Sequence, residues 1–211
     1  MSCLIIQFAK IPQAGKVKTR LQPFLGEAGC LQLHKNLVRH TACQIQSFVQ
    51  QNIAQRRAAL FVGHAPQVQD QVFLTANEFA AMTLQVQTGE TLGARMAAAF
   101  EWGLQQADKV ILVGSDCPVI TPQHYAAVEQ ALDEHDFAFI PAEDGGYVLV
   151  AARKIYPMMF DGIAWGTDQV WAQTQQRIQG ESVAVLTPLW DVDREADFNR
   201  LSQTIPELCV V

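Results

Sequence analysis

The sequence predicts an α/β fold built on a mainly parallel sheet, and three observations carry that expectation. Short runs of apolar and β-branched residues alternate with longer stretches of helical periodicity along the chain, the pattern of βαβ units. The run 110–113 (Val-Ile-Leu-Val) is aliphatic throughout, as expected of a strand covered on both faces. Late in the chain the runs 137–140 and 147–150 flank Asp144-Gly145-Gly146, a hairpin signal that makes the sheet mixed.

Taken in order, the first strand is expected at 4–9, Leu-Ile-Ile-Gln-Phe-Ala. Residues 10–20 follow as a loop, since Pro12 and Gly15 interrupt any helix there. A helix is expected from 25 to about 50, with Leu33, Leu37 and Ile45 at helical spacing and Pro23 just before its start. Residues 58–62 form a second strand, 66–80 a weaker helical pattern, and 82–87 an alternating third strand. Thr91-Leu92-Gly93 opens a helix reaching about 106, and 110–113 is the central strand. Thr121 is a good N-cap with Pro122 at the first helical position, and Tyr125, Val128 and Leu132 form the buried stripe. After the hairpin, a helix is expected over 166–178 and a strand over 183–186. Asp193 is expected to cap a last helix reaching Leu208. No repeat, low-complexity tract or linker divides 1–211, which predicts a single domain.

Composition narrows the function classes. Twenty-one acidic against 15 basic residues give a formal net charge of −6, which excludes a broad nucleic-acid footprint. A small anionic ligand is compatible, because local cations act over short distances. The five cysteines, Cys3, Cys30, Cys43, Cys117 and Cys209, show no Cys-x-x-Cys spacing, so neither a disulfide framework nor a structural zinc site is expected. The N-terminus lacks a cationic leader and no membrane-spanning run occurs, which predicts a cytoplasmic protein without a membrane partner.

Candidate chemistry begins with the loop after the first strand. Lys10, Lys16, Lys18 and Arg20 crowd an otherwise acidic chain at the position where open α/β sheets bind ligands. Amides near Gly15 can approach a phosphate, and Arg20 can hold two of its oxygens; the plainer alternative is a solvated basic loop. Gly114-Ser115-Asp116-Cys117-Pro118 follows the central strand, so Asp116 sits at its carboxyl end. There it can hold Mg²⁺ or Mn²⁺, or simply shape a turn. Glu143 or Asp144 can add an acidic group beside that metal, with Gly145 and Gly146 admitting a substrate to the backbone; a plain hairpin explains the same residues. The turn at 88–95 offers amides and Arg95 to an anion, although helix capping by Thr91 accounts for much of it. Trp165 can stack on a base or sugar and Thr167 can hydrogen-bond it, against the commoner role of a buried tryptophan. Asp191 and Asp193 can contribute a metal ligand, Asp193 more simply as a cap. No Gly-x-x-x-x-Gly-Lys-Ser/Thr loop, Gly-x-Gly-x-x-Gly fingerprint or Gly-x-Ser-x-Gly elbow is present. The scattered histidines suggest no metal site, and nothing marks a base that would activate Cys117.

In order, Phe8-Ala9-Lys10-x-Pro12, Gly15-x-Val17-Lys18-Thr19-Arg20-Leu21, Leu92-Gly93-x-Arg95-Met96, Gly114-Ser115-Asp116-Cys117-Pro118, Asp144-Gly145-Gly146-Tyr147 and Trp165-Gly166-Thr167 form a set. That set resembles the bacterial glycosyltransferase-like family related to 2-phospholactate guanylyltransferase, labelled as arsenosugar-biosynthesis or radical-SAM-associated transferases. The resemblance implies a GT-A-like nucleotide-diphospho-sugar transferase fold, a three-layer sandwich, and a nucleotide-dependent transferase. It implies phosphate binding by Lys18 and Arg20 and metal binding by Asp116. Ala151, where the family often has glycine, and Asp193-Arg194-Glu195, which lacks its common Thr-Pro, depart from the pattern.

The expected catalytic set is therefore Asp116, Lys18 and Arg20, with Mg²⁺ or Mn²⁺ on Asp116 and Asp144. The expected nucleotide-binding set is Lys10, Gly15, Lys18, Thr19, Arg20, Leu92, Gly93, Arg95, Gly145, Gly146, Trp165 and Thr167. Two reactions share these electrostatics, because each builds negative charge on phosphate oxygens. Glycosyl transfer releases a nucleoside diphosphate and nucleotidyl transfer releases pyrophosphate. The family labels favour the first, and the basic loop, which resembles a triphosphate grip, favours the second; metal-dependent glycosyl transfer from a nucleotide-activated sugar is the expected reaction, and nucleotidyl transfer from an NTP to a small phosphorylated acceptor the alternative. A small-molecule acceptor completes either. A non-catalytic nucleotide-binding regulator would keep Lys18 and Arg20 without needing Asp116 or Asp144.

Overall fold

The computed structural model describes residues 1–64, 70 and 73–210. Seven strands, β1 Cys3–Ala9, β2 Arg56–Val62, β3 Met82–Val86, β4 Lys109–Val113, β5 Phe137–Pro141, β6 Tyr147–Ala152 and β7 Val183–Val185, form one sheet in the order β3-β2-β1-β4-β6-β5-β7. Only β6 runs antiparallel, to both β4 and β5; the other pairings are parallel. The principal helices are α1 Gln22–Gln50, α2 Leu92–Leu104, α3 Pro122–Glu134, α4 Val170–Arg177 and α5 Glu195–Thr204.

The central strands are apolar on both faces because helices cover both. Along β1, Cys3 and Ile5 point to one side, where Ile45 and Phe48 of α1 and Tyr125, Val128 and Leu132 of α3 meet them. Leu4, Ile6 and Phe8 point to the other, against Met96, Ala99 and Phe100 of α2 and the partly buried Trp171 of α4. The result is the three-layer mixed sandwich expected from the sequence. Burying side chains of this size contributes roughly 1.5–3 kcal/mol each before entropy is counted.

The topology fixes where a ligand can bind. From β1 the chain runs through α1 to β2 and then β3 at one edge. It returns over α2 to β4, on the other side of β1. The carboxyl ends of β1 and β4 thus flank the point where strand order reverses, the crevice that open α/β sheets offer to ligands. The loops 10–20 and 114–120 both leave from that edge.

The structure departs from the sequence reading at three places. The segment expected to be helical from Gly166 becomes α4 only at Val170. The last helix ends at Thr204, and a separate 3₁₀ turn, Pro206–Cys209, carries the chain past Leu208. Its N-cap is Arg194, not Asp193, whose carboxylate is turned to Arg20 instead. Of the helix expected at 66–80, residues 66–69, 71 and 72 lie outside the described residues; 70, 73 and 74 are helical, and the segment ends in a separate 3₁₀ turn, Asn77–Phe79.

Candidate active site at the β1/β4 switch point

Lys18 and Asp116 meet where the two loops converge. Lys18 Nζ lies 2.6 Å from Asp116 Oδ1 and donates to the Val192 carbonyl. The Lys18 side chain is only 5% exposed, whereas half of the Asp116 side chain is accessible. Among the described residues Lys18 is the one non-glycine residue with positive φ (48°), a conformation that costs an L-residue about 1–2 kcal/mol. The ion pair and the Val192 carbonyl hold it there. Burial opposes ionisation of Asp116, but the Lys18 ammonium, with Lys10 assisting, outweighs it and holds the carboxyl below its usual range.

Buried polar groups behind the pair fix the loops. Gln7 breaks the apolar run of β1 and is fully buried. Its Nε2 donates to the Ser115 hydroxyl (3.0 Å) and to the Val38 carbonyl (2.9 Å), and Ser115 Oγ donates to the Phe8 carbonyl (2.8 Å). Ser115 is thereby tied to β1 immediately before Asp116. From α1, His34 Nε2 donates to the Lys10 carbonyl and His40 Nε2 to the Pro118 carbonyl, at 2.9 and 2.8 Å. Burial lowers both imidazole pKa values and favours the neutral, Nε2-protonated form.

A cleft of about 440 Å³ opens beside this junction. Arg20 and Arg194 line it together with the carboxylates of Glu143, Asp144, Asp168, Asp191, Asp193 and Asp197. Arg20 is ion-paired to Asp193, and Glu143 to Arg200, at 2.7 and 3.2 Å, whose guanidinium lies over the Trp190 ring. Asp191 is pushed up to about 6, by burial first and then by the charges of Asp144 and Asp116. Asp144 Oδ1 accepts the Gly146 amide at 3.0 Å.

The donor set suits a hard divalent cation. Asp144 and Asp116 are near enough to Asp191 to oppose its ionisation, as carboxylates around a cation position do. Among the described residues no group of three or more acidic, histidine or cysteine side chains is placed to hold a metal ion, so a cation here would rest on at most two carboxylates. Mg²⁺ and Mn²⁺ are commonly held by one or two carboxylates, with phosphate oxygens and water completing the shell.

The remaining candidates distribute as follows. Lys10 and Thr19 are exposed on the basic loop, and Gly15 turns it at φ 74°. Thr167 lines the cleft, its hydroxyl donating to the Ala164 carbonyl at 2.7 Å. Gly145 has φ 92°, and an added Cβ would lie 2.2 Å from the Asp168 carbonyl oxygen, so its lack of a side chain admits the 165–169 segment. The Trp171 amide donates to the Gly145 carbonyl, which fastens the same contact. Gly146 completes that turn. Gly93 and Trp165 face a separate groove of about 430 Å³, where a Cβ on Gly93 would strike the Phe160 carbonyl at 2.6 Å. Arg95 Nε donates to the Gly89 carbonyl and braces the loop before α2, while Leu92 is exposed. The structure therefore brings Arg20, Asp144 and Thr167 to the cleft, sets the Lys18–Asp116 pair beside it next to Asp191 and Val192, and leaves Gly93 and Trp165 on a separate groove. Sequence reasoning missed Gln7, Asp168 and Arg194. A lone glutamine inside an apolar strand was the available signal for the first.

Comparison with known proteins bears on the fold and the family. The structure of a candidate nucleotide-diphospho-sugar transferase from Desulfovibrio desulfuricans G20 superposes with a TM-score of 0.86 at 30% identity, covering 97% of this chain and 88% of that one. A nucleotidyl transferase from Methanothermobacter thermautotroptrophicus shares the fold at a TM-score of 0.66 and 13% identity, over 98% of each chain. In sequence, 2-phospho-L-lactate guanylyltransferase of Methanobrevibacter ruminantium is 22% identical over 161 residues, 75% of this chain and 69% of that protein. The fold is that of the nucleotide-diphospho-sugar transferases, and no described helix is long and apolar enough to cross a membrane. Residues 48–167 match the DUF2064 model, described as an uncharacterized protein conserved in bacteria, and the chain belongs to that family.

Proposed function

We propose that this chain is a divalent-cation-dependent transferase that binds a nucleotide-activated donor at the β1/β4 switch point and passes part of it to a small acceptor. The observation that carries this reading is the Lys18–Asp116 pair, a buried cation and a half-exposed carboxylate where the loops after β1 and β4 converge. Asp116 with Asp144 would hold Mg²⁺ or Mn²⁺, phosphate oxygens and water completing the shell, and the ion would supply charge neutralisation to the donor phosphates. A cleft lined by six carboxylates and two guanidinium groups would otherwise repel a polyphosphate. Arg20, at the mouth, exchanges Asp193 for a phosphate oxygen. Lys18, already neutralised, keeps Asp116 ionised and oriented. Catalysis on this account is positioning and electrostatics.

Of the two reactions, nucleotidyl transfer is the first reading. Lys10, Lys16 and Arg20 leave the basic loop exposed with more positive charge than a nucleotide-sugar diphosphate requires, and the guanylyltransferase relative supports it. Glycosyl transfer is the second, favoured by the likeness to the Desulfovibrio protein. Incubation with nucleoside triphosphates or nucleotide sugars, Mg²⁺ and pooled small acceptors separates them. Pyrophosphate release supports the first and nucleoside diphosphate release the second. Tight nucleotide binding with neither product would make the chain a regulator.

A further inference from the structure

We propose that Arg194 is an anion-binding residue of the cleft, receiving an acidic group, phosphate or carboxylate, of a substrate. The inference rests on the cleft being the ligand site, not on which reaction occurs there.

Arg194 occupies the N-cap of the ten-residue helix α5, with extended φ −127° and ψ 169°. That position favours Ser, Thr, Asp or Asn, whose side-chain oxygens accept the free amides of the first turn. Arginine has no acceptor to offer, and its charge is unfavourable at the positive end of a helix. The capping is done by Asp197, whose Oδ2 accepts from the Arg194 amide at 2.7 Å and the Asp193 amide at 3.1 Å. Nothing in the local structure asks for an arginine, and residues that break a local preference without local gain concentrate at functional sites.

The surroundings supply the reason. Arg194 is exposed and lines the cleft with Arg20 and six carboxylates, yet its guanidinium forms no ion pair with any described residue. The neighbouring cations are committed: Lys18 to Asp116, Arg20 to Asp193 and Arg200 to Glu143. Arg194 is therefore the cleft cation that can take up an incoming anion without first breaking an ion pair. A planar guanidinium matches two oxygens of a phosphate or carboxylate. The acidic group belongs either to the donor's terminal phosphates or to the acceptor.

Calorimetry with Arg194→Gln and Arg194→Lys tests this, using pyrophosphate, GTP, GMP and phosphoglycolate as probes in Mg²⁺. Urea unfolding of Arg194→Gln is expected to be unchanged or slightly more stable, since a cation leaves the helix N-terminus. Arg194→Gln is expected to lose about tenfold or more in affinity for at least one probe, and Arg194→Lys to lose less. Loss for pyrophosphate and GTP but not GMP assigns the residue to the donor's terminal phosphates. Loss confined to phosphoglycolate assigns it to the acceptor. Arginine-dependent binding of pyrophosphate or phosphoglycolate without any nucleotide binding keeps this proposal and overturns the nucleotide reading. Affinities within twofold of wild type for every probe, or no binding of any probe by wild type, overturn the proposal.

Discussion

Replacing Lys18 with Met removes the buried ammonium while keeping most of the side-chain volume. Asp116 Oδ1 then loses the cation at 2.6 Å and the Val192 carbonyl loses its donor. Breaking a buried pair from one side costs about 3–5 kcal/mol, but Asp116 is half exposed and water recovers part of that. About 2–3 kcal/mol is the expected loss, measured as a lower urea midpoint at unchanged slope. Asp116→Asn strands the buried Lys18 ammonium and is expected to cost a similar amount. The double variant should lose less than the sum of the singles, by about 1–2 kcal/mol of coupling. The pH dependence has a definite sign. The folded pKa of Asp116 is depressed, so the pair's contribution is complete above the ordinary carboxylate range and disappears as pH falls through the folded value. The gap between wild type and Lys18→Met should therefore narrow in acid. Additive single variants, or a gap that widens in acid, would refute the reasoning.

Two further outcomes follow from the same cleft. Asp191 rises from its ordinary 3.8 to about 6, so the folded protein favours its protonated form and loses stability as pH climbs from about 4 to 6. Asp191→Asn should stabilise the ligand-free protein at pH 7 by about 2 kcal/mol and flatten the melting temperature between pH 4 and 6; an unchanged pH profile would show that Asp191 is not strained by its neighbours. Gly145→Ala places a Cβ 2.2 Å from the Asp168 carbonyl at a φ of 92°. It is expected to cost about 2 kcal/mol or more and to raise protease cleavage within 163–169, whereas a variant of wild-type stability and protection would remove the close approach from the account.

The framework of the fold was legible because it rests on local pattern. β4 is five buried residues in a row, and α3 carries its cap, its proline and its buried stripe in sequence. Thr91 was readable as an N-cap for the same reason, and its side chain does accept the Ala94 amide. What escaped depends on contacts between distant segments. The commitment of Lys18 to Asp116 arises only when the loops after β1 and β4 converge, and no local feature announces a left-handed lysine. Just before α4 the backbone of Asp168 lies close against Gly145, a contact the Gly-Gly pair advertised only as a hairpin. Asp193 has an ordinary capping composition. It was drawn away by Arg20, which left Asp197 to cap the helix and Arg194 to face the cleft.

The central claim is nucleotide binding through a divalent cation at the switch point, and thermal denaturation tests it most directly. Wild-type protein is melted with a panel of nucleoside triphosphates and nucleotide sugars, once in Mg²⁺ and once in EDTA, with Asp116→Asn run alongside. A ligand present at about 100 times its Kd stabilises the folded state by about 2.7 kcal/mol, a shift of several degrees. The account expects at least one nucleotide to raise the wild-type melting temperature in Mg²⁺, with the shift lost in EDTA and in the folded Asp116→Asn variant. If every nucleotide leaves the wild-type temperature unchanged, or if the shift is equal in EDTA and undiminished in Asp116→Asn, the account is contradicted.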